Sequence, residues 1–173
     1  PVVPAFREPP RLPSTWQADG AHGREPRVVK SLNLRPEDLE RHNVDLQAKF
    51  RTIEEREVRW AGESLDDAEI VIVAYGTAAR VARTAIARAR EGGMRAGLFR
   101  PITLWPYPTV ALRALARRVR GFLVVELSAG QMLEDVRLAV EGLTPVAFHG
   151  RTGGMVPSPG DVVNELRRLW AIT

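Results

Sequence analysis

From Asp67 onward the chain alternates short apolar runs with stretches in which apolar residues recur every three or four positions. Ile70-Val71-Ile72-Val73-Ala74 is β-branched and apolar on both faces, the pattern of a strand buried in a parallel sheet. Gly76 and Thr77 then read as a turn and N-cap, and Val81, Ala85, Ile86 and Ala89 share one helical face up to Gly92-Gly93. Ala96 to Phe99 is a second strand, and Pro108 opens a helix with Ala111, Leu112, Leu115 and Val119 inward, stopped by Gly121. Phe122 to Val125 is a third strand, followed by a helix with Met132, Leu133, Val136 and Val140 inward and closed by Gly142. Val146 to Phe148 is a fourth, after which Ser158 and Asp161 form a capping box with Pro159 at the first helical position. Val162, Val163, Leu166, Leu169 and Trp170 give the last helix its apolar face. Four strand–helix units in succession predict a parallel sheet covered on both sides, an α/β fold of three α/β/α layers over residues 66–173.

The first 35 residues follow no such period. Pro1, Pro4, Pro9, Pro10, Pro13 and Pro26 favour extended or polyproline backbone, so residues 1–35 are expected to form a Pro-rich arm. Pro36, followed by Glu37 and Asp38, opens a helix whose apolar positions Leu39, Leu46, Phe50 and Ile53 make one narrow stripe on a charged surface. Residues 36–65 therefore read as a linker that leads into the α/β domain.

Composition narrows the function classes. Among 173 residues 45% are hydrophobic and 27% charged, and no apolar run approaches the roughly 20 residues a membrane span needs. The chain begins at Pro1 without an initiator Met, a charged n-region or an apolar h-region, so the expectation is a fragment or processed piece of a cytoplasmic protein. With no cysteine, this chain supplies no disulfide, thiolate zinc site, thiol nucleophile or Fe–S ligand. His22, His42 and His149 stand too far apart in sequence to suggest a metal site. The pI near 10.3 raises the question of nucleic acid. Only Lys30 and Lys49 are lysines among the 25 basic residues, and the arginines are spread over every predicted helix, with Arg117-Arg118 and Arg167-Arg168 the only adjacent pairs. That dispersion supports a solvated arginine-rich surface over a nucleic-acid face.

Ligands of an open α/β sheet sit outside the carboxyl ends of its strands, which brings four loops forward: Tyr75-Gly76-Thr77, Arg100 to Trp105, Glu126 to Gln131 and His149 to Met155. AYGTAARV has one glycine where a dinucleotide fingerprint needs three. HGRTGGMVPSPG is the anion-loop candidate, through Arg151 and the backbone of Gly153 and Gly154, although glycine-rich loops more often serve turn geometry. His149 is expected to end a strand with a satisfied ring. Glu126 abuts an apolar run, where desolvation would make it a proton donor; alternatively it accepts backbone hydrogen bonds or pairs with Arg100. Ser128 lacks the context of a nucleophile elbow.

Four long motifs carry a resemblance: AEIVIVAYGTAARVARTAI, LFRPITLWPYP, FLVVELSAGQMLEDVRLAV and FHGRTGGMVPSP. In that order they resemble the C-terminal domain of the α subunit of 2-oxoacid:ferredoxin oxidoreductases over residues 66 to 170. Residues 20–60 are similar to the connecting arm of the same subunit, above all in its branched-chain (3-methyl-2-oxobutanoate) and 2-oxoglutarate members. The resemblance implies a domain like the transketolase C-terminal domain, with a mixed sheet of about five strands whose first strand is antiparallel. Glu57 to Trp60 would be that strand, with the preceding helix ending near Glu54.

It also implies oxidative decarboxylation of a 2-oxoacid to acyl-CoA with reduction of ferredoxin, and a complex that holds thiamine diphosphate, Mg, Fe–S clusters and coenzyme A. None of these is expected to be bound by this segment alone, and no catalytic residue is assigned to it. The implied partners are the β (thiamine-diphosphate-binding) subunit, a ferredoxin-like Fe–S subunit and the N-terminal domain of the same α subunit, with no nucleic acid and no membrane. In LFRPITLWPYP, Pro101, Pro106 and Pro108 stiffen the backbone around Trp105 and Tyr107. Arg100, Thr103, Trp105 and Tyr107 are therefore expected to contact a neighbouring domain or subunit, the alternative being that Trp105 covers this domain's own core. The expected role is structural and assembly; the alternative is binding of the coenzyme A phosphates or the substrate carboxylate at Arg100, Arg151 or the backbone of Gly153 and Gly154.

Overall fold

The computed structural model describes residues 20–173, so residues 1–19 of the expected arm lie outside the described residues. The chain divides into two compact units between Leu46 and Gln47, within its first helix. In the first unit, residues 25–34 form no regular element, and α1 (Pro36–Arg56) opens with Glu37 and Asp38 in its first turn. Those acids favour the positive end of the helix dipole. No residue of α1 is buried.

The second unit is built on a sheet of five strands, β1 (Trp60–Glu63), β2 (Ile70–Val73), β3 (Ala96–Pro101), β4 (Gly121–Glu126) and β5 (Val146–Gly150), in the order β1-β3-β2-β4-β5. β1 runs antiparallel to β3, and the other pairs are parallel, as the resemblance implies. Between the strands run α2 (Gly76–Glu91), α3 (Thr109–Ala116) and α4 (Gln131–Val140), and α5 (Pro159–Ile172) follows β5.

Alternation along each strand sends its side chains to two cores. Ile70, Ile72, Leu98, Leu123 and Val125 pack against α2 and α5, whereas Val71, Val73, Phe99, Phe122 and Val124 pack against α3 and α4. All four residues of β2 are fully buried, which is why its sequence shows no polar alternation. Each such side chain contributes about 1.5–3 kcal/mol relative to an exposed one.

Three local expectations need correction. The first strand begins at Trp60 rather than Glu57, because α1 runs on to Arg56 and its last turn still takes the Glu57 N–H on the Ile53 carbonyl at 2.9 Å. Thr77 lies inside α2; the N-cap is Tyr75, with no side-chain cap bond. Gly121 does not stop a helix, since α3 ends at Ala116 and Gly121 starts β4, where a Cβ would stand 3.2 Å from Leu169. Ser158 and Asp161 form the expected capping box, with Pro159 at the first helical position.

Candidate functional site

β2 to β5 all point their carboxyl ends at one edge of the sheet, and the loops that carry chemistry gather there. At the β4 end, Glu126 is only 1% exposed. Its Oε2 accepts from Ser128 Oγ at 2.6 Å and from the Met132 N–H at 3.1 Å, and its Oε1 accepts from the Leu133 N–H at 3.1 Å. The N-cap of α4 is Gly130, which has no side chain to offer. Glu126 therefore caps the helix from four residues upstream, satisfying two amides that the helix leaves orphaned and placing a negative charge on the positive end of its dipole. Of the roles open from sequence, the carboxylate takes the acceptor role and does not pair with Arg100. The missing Ser, Thr, Asp or Asn before Gln131 is the sequence signal that would have found this cap.

The charge of Glu126 reaches its neighbours. Burial pushes the Tyr107 hydroxyl well above its ordinary value, and the carboxylates of Asp135 and Glu126 push it further. Burial, then Glu134 and Glu126, also raise the Asp135 carboxyl. This end of the edge is negative, and the Tyr107 hydroxyl is buried there without a hydrogen-bond partner among the described residues.

The rigid corner sits beside it. The Trp105–Pro106 peptide bond is cis. The Thr103 hydroxyl donates to the Pro106 carbonyl at 2.9 Å and accepts from the Arg59 N–H at 3.0 Å, tying the corner to the chain that enters β1. Trp105 meets the edge of Phe50 on α1, with ring centroids 5.4 Å apart, and is still 55% exposed. Trp60 stacks on Phe99 at 4.8 Å. A groove of about 720 Å³ runs between these rings, lined by Val58, Trp60, Trp105, Tyr107 and Val110 among others.

Arg100 lies elsewhere. It faces a separate cleft of about 420 Å³ with Gly76, Thr77, Arg80 and Arg83 at the head of α2. Arg83 is held by Glu63 of β1 through a two-pronged contact, Nε to Oε2 at 2.8 Å and Nη2 to Oε1 at 2.5 Å. Hydrogen bonding from Arg83 keeps the Glu63 carboxyl below its ordinary value against its own desolvation, and the charges of Arg83 and Arg100 add to that effect. Sequence reasoning singled out Arg100 and missed Arg80 and Arg83 beside it.

The fourth loop turns on Gly153 and Gly154, whose φ angles of 65° and 81° need glycine. Arg151 donates its N–H to the Glu126 carbonyl. The start of α5 is filled by its own Asp161, whose carboxyl the Ser158 hydrogen bonds lower first and the charges of His149 and Arg151 lower further. The ring of His149 is not satisfied as expected, because its Nε2 is buried with no partner among the described residues.

Residues 68–162 match the family description pyruvate:ferredoxin oxidoreductase core domain II. Across 97% of its length the chain is 40% identical to the ketoisovalerate oxidoreductase subunit VorB of Methanothermobacter thermautotrophicus, of which it covers 50%. The chain belongs to the 2-oxoacid:ferredoxin oxidoreductase subunit family. The 2-oxoglutarate synthase subunit KorA of the same organism is 36% identical over 62% of the chain and 28% of the subunit. This places the domain near both the branched-chain and the 2-oxoglutarate members of the oxidoreductase family. A 2-oxoglutarate:ferredoxin oxidoreductase from Magnetococcus marinus, solved with 2-oxoglutarate, coenzyme A and succinyl-CoA bound, has the same fold. Its TM-score is 0.68 at 21% identity, over 79% of this chain and 24% of that chain. The chain thus spans about half the length of the ketoisovalerate subunit.

Proposed function

We propose that this chain is a structural and assembly domain at the C-terminal end of the α subunit of a thiamine-diphosphate-dependent 2-oxoacid:ferredoxin oxidoreductase, with branched-chain 2-oxoacids as the substrate class. The carrying observation is the 40% identity to the ketoisovalerate subunit across nearly the whole chain, arm-like segment included. In this reading the complete enzyme converts a 2-oxoacid to an acyl-CoA and reduces ferredoxin.

The residues present here do not fit the metal-bearing groups of such an enzyme. The chain has no cysteine for an Fe–S cluster, and among the described residues no three His, Asp or Glu side chains stand together to hold an ion. The buried carboxylate at the sheet edge, Glu126, is committed to α4. What the domain offers instead is the groove with its exposed Trp105 and Trp60, aromatic anchors on a stiff frame, for the β subunit or the N-terminal part of the same subunit. Thr103 braces that frame from inside, and Arg100 belongs to the other cleft. A coenzyme A or substrate-anion site at Arg100, Arg151 or the Gly153-Gly154 backbone is the second reading, and the occupation of the α5 start by Asp161 weighs against its glycine-loop part.

Trp105→Ala tests the docking role in the intact complex. Loss of an interface anchor costs about 2 kcal/mol or more, so recovery of the partner subunits is expected to fall by roughly thirty-fold in affinity. The Phe50 contact accounts for only about 0.5–1.5 kcal/mol of folding stability, so the domain itself stays folded by circular dichroism. Undiminished recovery of the partners would remove Trp105 from the interface.

A further inference from the structure

We propose that the cleft at the head of α2 binds a phosphate-bearing ligand, of the diphosphate or phosphate-monoester class, on Arg80, Arg83 and Arg100. Three of its lining side chains are guanidiniums brought from two elements: Arg80 and Arg83 from successive turns of α2, and Arg100 from β3. Side chains three apart on a helix are neighbours, and like charges so placed repel. Glu63 is the carboxylate that answers them, and Arg83 engages it with two nitrogens, Nε to Oε2 and Nη2 to Oε1, in the bidentate form typical of a strong pair. Arg80 and Arg100 take part in no ion pair among the described residues, and Arg100 Nε is buried without a hydrogen-bond partner. Three guanidiniums against one carboxylate leave two positive charges uncompensated, the charge of a phosphate monoester dianion.

The site's size and place agree with that chemistry. A volume of about 420 Å³ falls within the roughly 300–1,000 Å³ of small-molecule clefts and exceeds what a lone carboxylate would fill. It opens beyond the carboxyl ends of β2 and β3, where open α/β sheets take their ligands. The rest of the same edge is unsuited to an anion. Glu126 already occupies the α4 start and makes that end negative, and Asp161 occupies the start of α5. Arginine's planar fork, always charged, matches phosphate oxygens two at a time.

The test is isothermal titration of the full chain with inorganic pyrophosphate at low salt, for wild type, Arg80→Gln, Arg100→Gln and Arg151→Gln. One-site binding is expected, weakened at least ten-fold by Arg80→Gln and by Arg100→Gln and little changed by Arg151→Gln. Arg80 is exposed, so its variant keeps the test valid if Arg100→Gln fails to fold by circular dichroism. The proposal is overturned by no binding to wild type, or by equal loss in Arg151→Gln, which would move the anion site to the glycine-rich loop. Tighter binding of a hexaglutamate peptide than of pyrophosphate, with the same dependence on Arg80, would assign the cleft to an acidic protein partner instead. The outcome does not depend on the assembly role, which the Trp105 variant tests separately.

Discussion

Glu126→Ala is expected to destabilise the domain by about 3–5 kcal/mol in urea unfolding, against a total of roughly 5–15 kcal/mol for a domain of this size. The substitution strands the buried Met132 and Leu133 amides, and a buried donor left without a partner costs about 1–3 kcal/mol. It also removes the charge that complements the α4 dipole and leaves a void where a 1% exposed side chain stood. Glu126→Gln keeps the volume and one acceptor oxygen, so it should lose about 1–2 kcal/mol, between wild type and the Ala variant. Equal and small losses in both variants, below about 1 kcal/mol, would mean that the carboxylate is not what holds the start of α4.

A second large effect is expected at Gly97, which lies in β3 opposite Val71. A Cβ built there would stand 2.6 Å from the Ser64 carbonyl oxygen and 3.0 Å from both Ala68 Cβ and Leu65 Cδ2. The nearest of these atoms is backbone, in a turn where Ser64 already has a φ of 53°, so the obstacle has no rotamer into which to retreat. Gly97→Ala should therefore cost the roughly 1–3 kcal/mol of overpacking or somewhat more, and Gly97→Val should leave little folded protein at 37 °C. The contrast is Gly142, where nothing stands within 4 Å of an added Cβ. Its φ of 73° makes Gly142→Ala a backbone-strain variant, without the clash. A thermal melt of Gly97→Ala that matches wild type would show that the turn after β1 yields.

The sequence made the core legible wherever burial alone decides the residue. Ile70 to Val73 and Phe122 to Val125 are apolar on both faces because both faces are covered, and periodicity reports that directly. The α5 start was equally open to reading, because a capping box is a local device whose two partners lie three residues apart. Features that depend on contacts distant in sequence were not legible. The start of β1 is set by where α1 releases its last amide and by the pairing of Trp60 with Pro101. The arginine cleft exists because β1 lies antiparallel to β3, which carries Glu63 to Arg83. Nothing in AYGTAARV announces that arrangement. Trp105 falls between these cases: its stiff setting was visible in three prolines, whereas its partner, Phe50, needed the end of α1 to be placed.

Whether this chain works as part of a larger oxidoreductase is decided by anaerobic affinity purification from its native cells, with mass spectrometry of every protein that stays bound. A thiamine-diphosphate-binding subunit and an Fe–S subunit are expected to be recovered together with the chain. Recovery of the chain alone, or with nucleic acid, would contradict the assembly role and leave the family membership as a statement of ancestry.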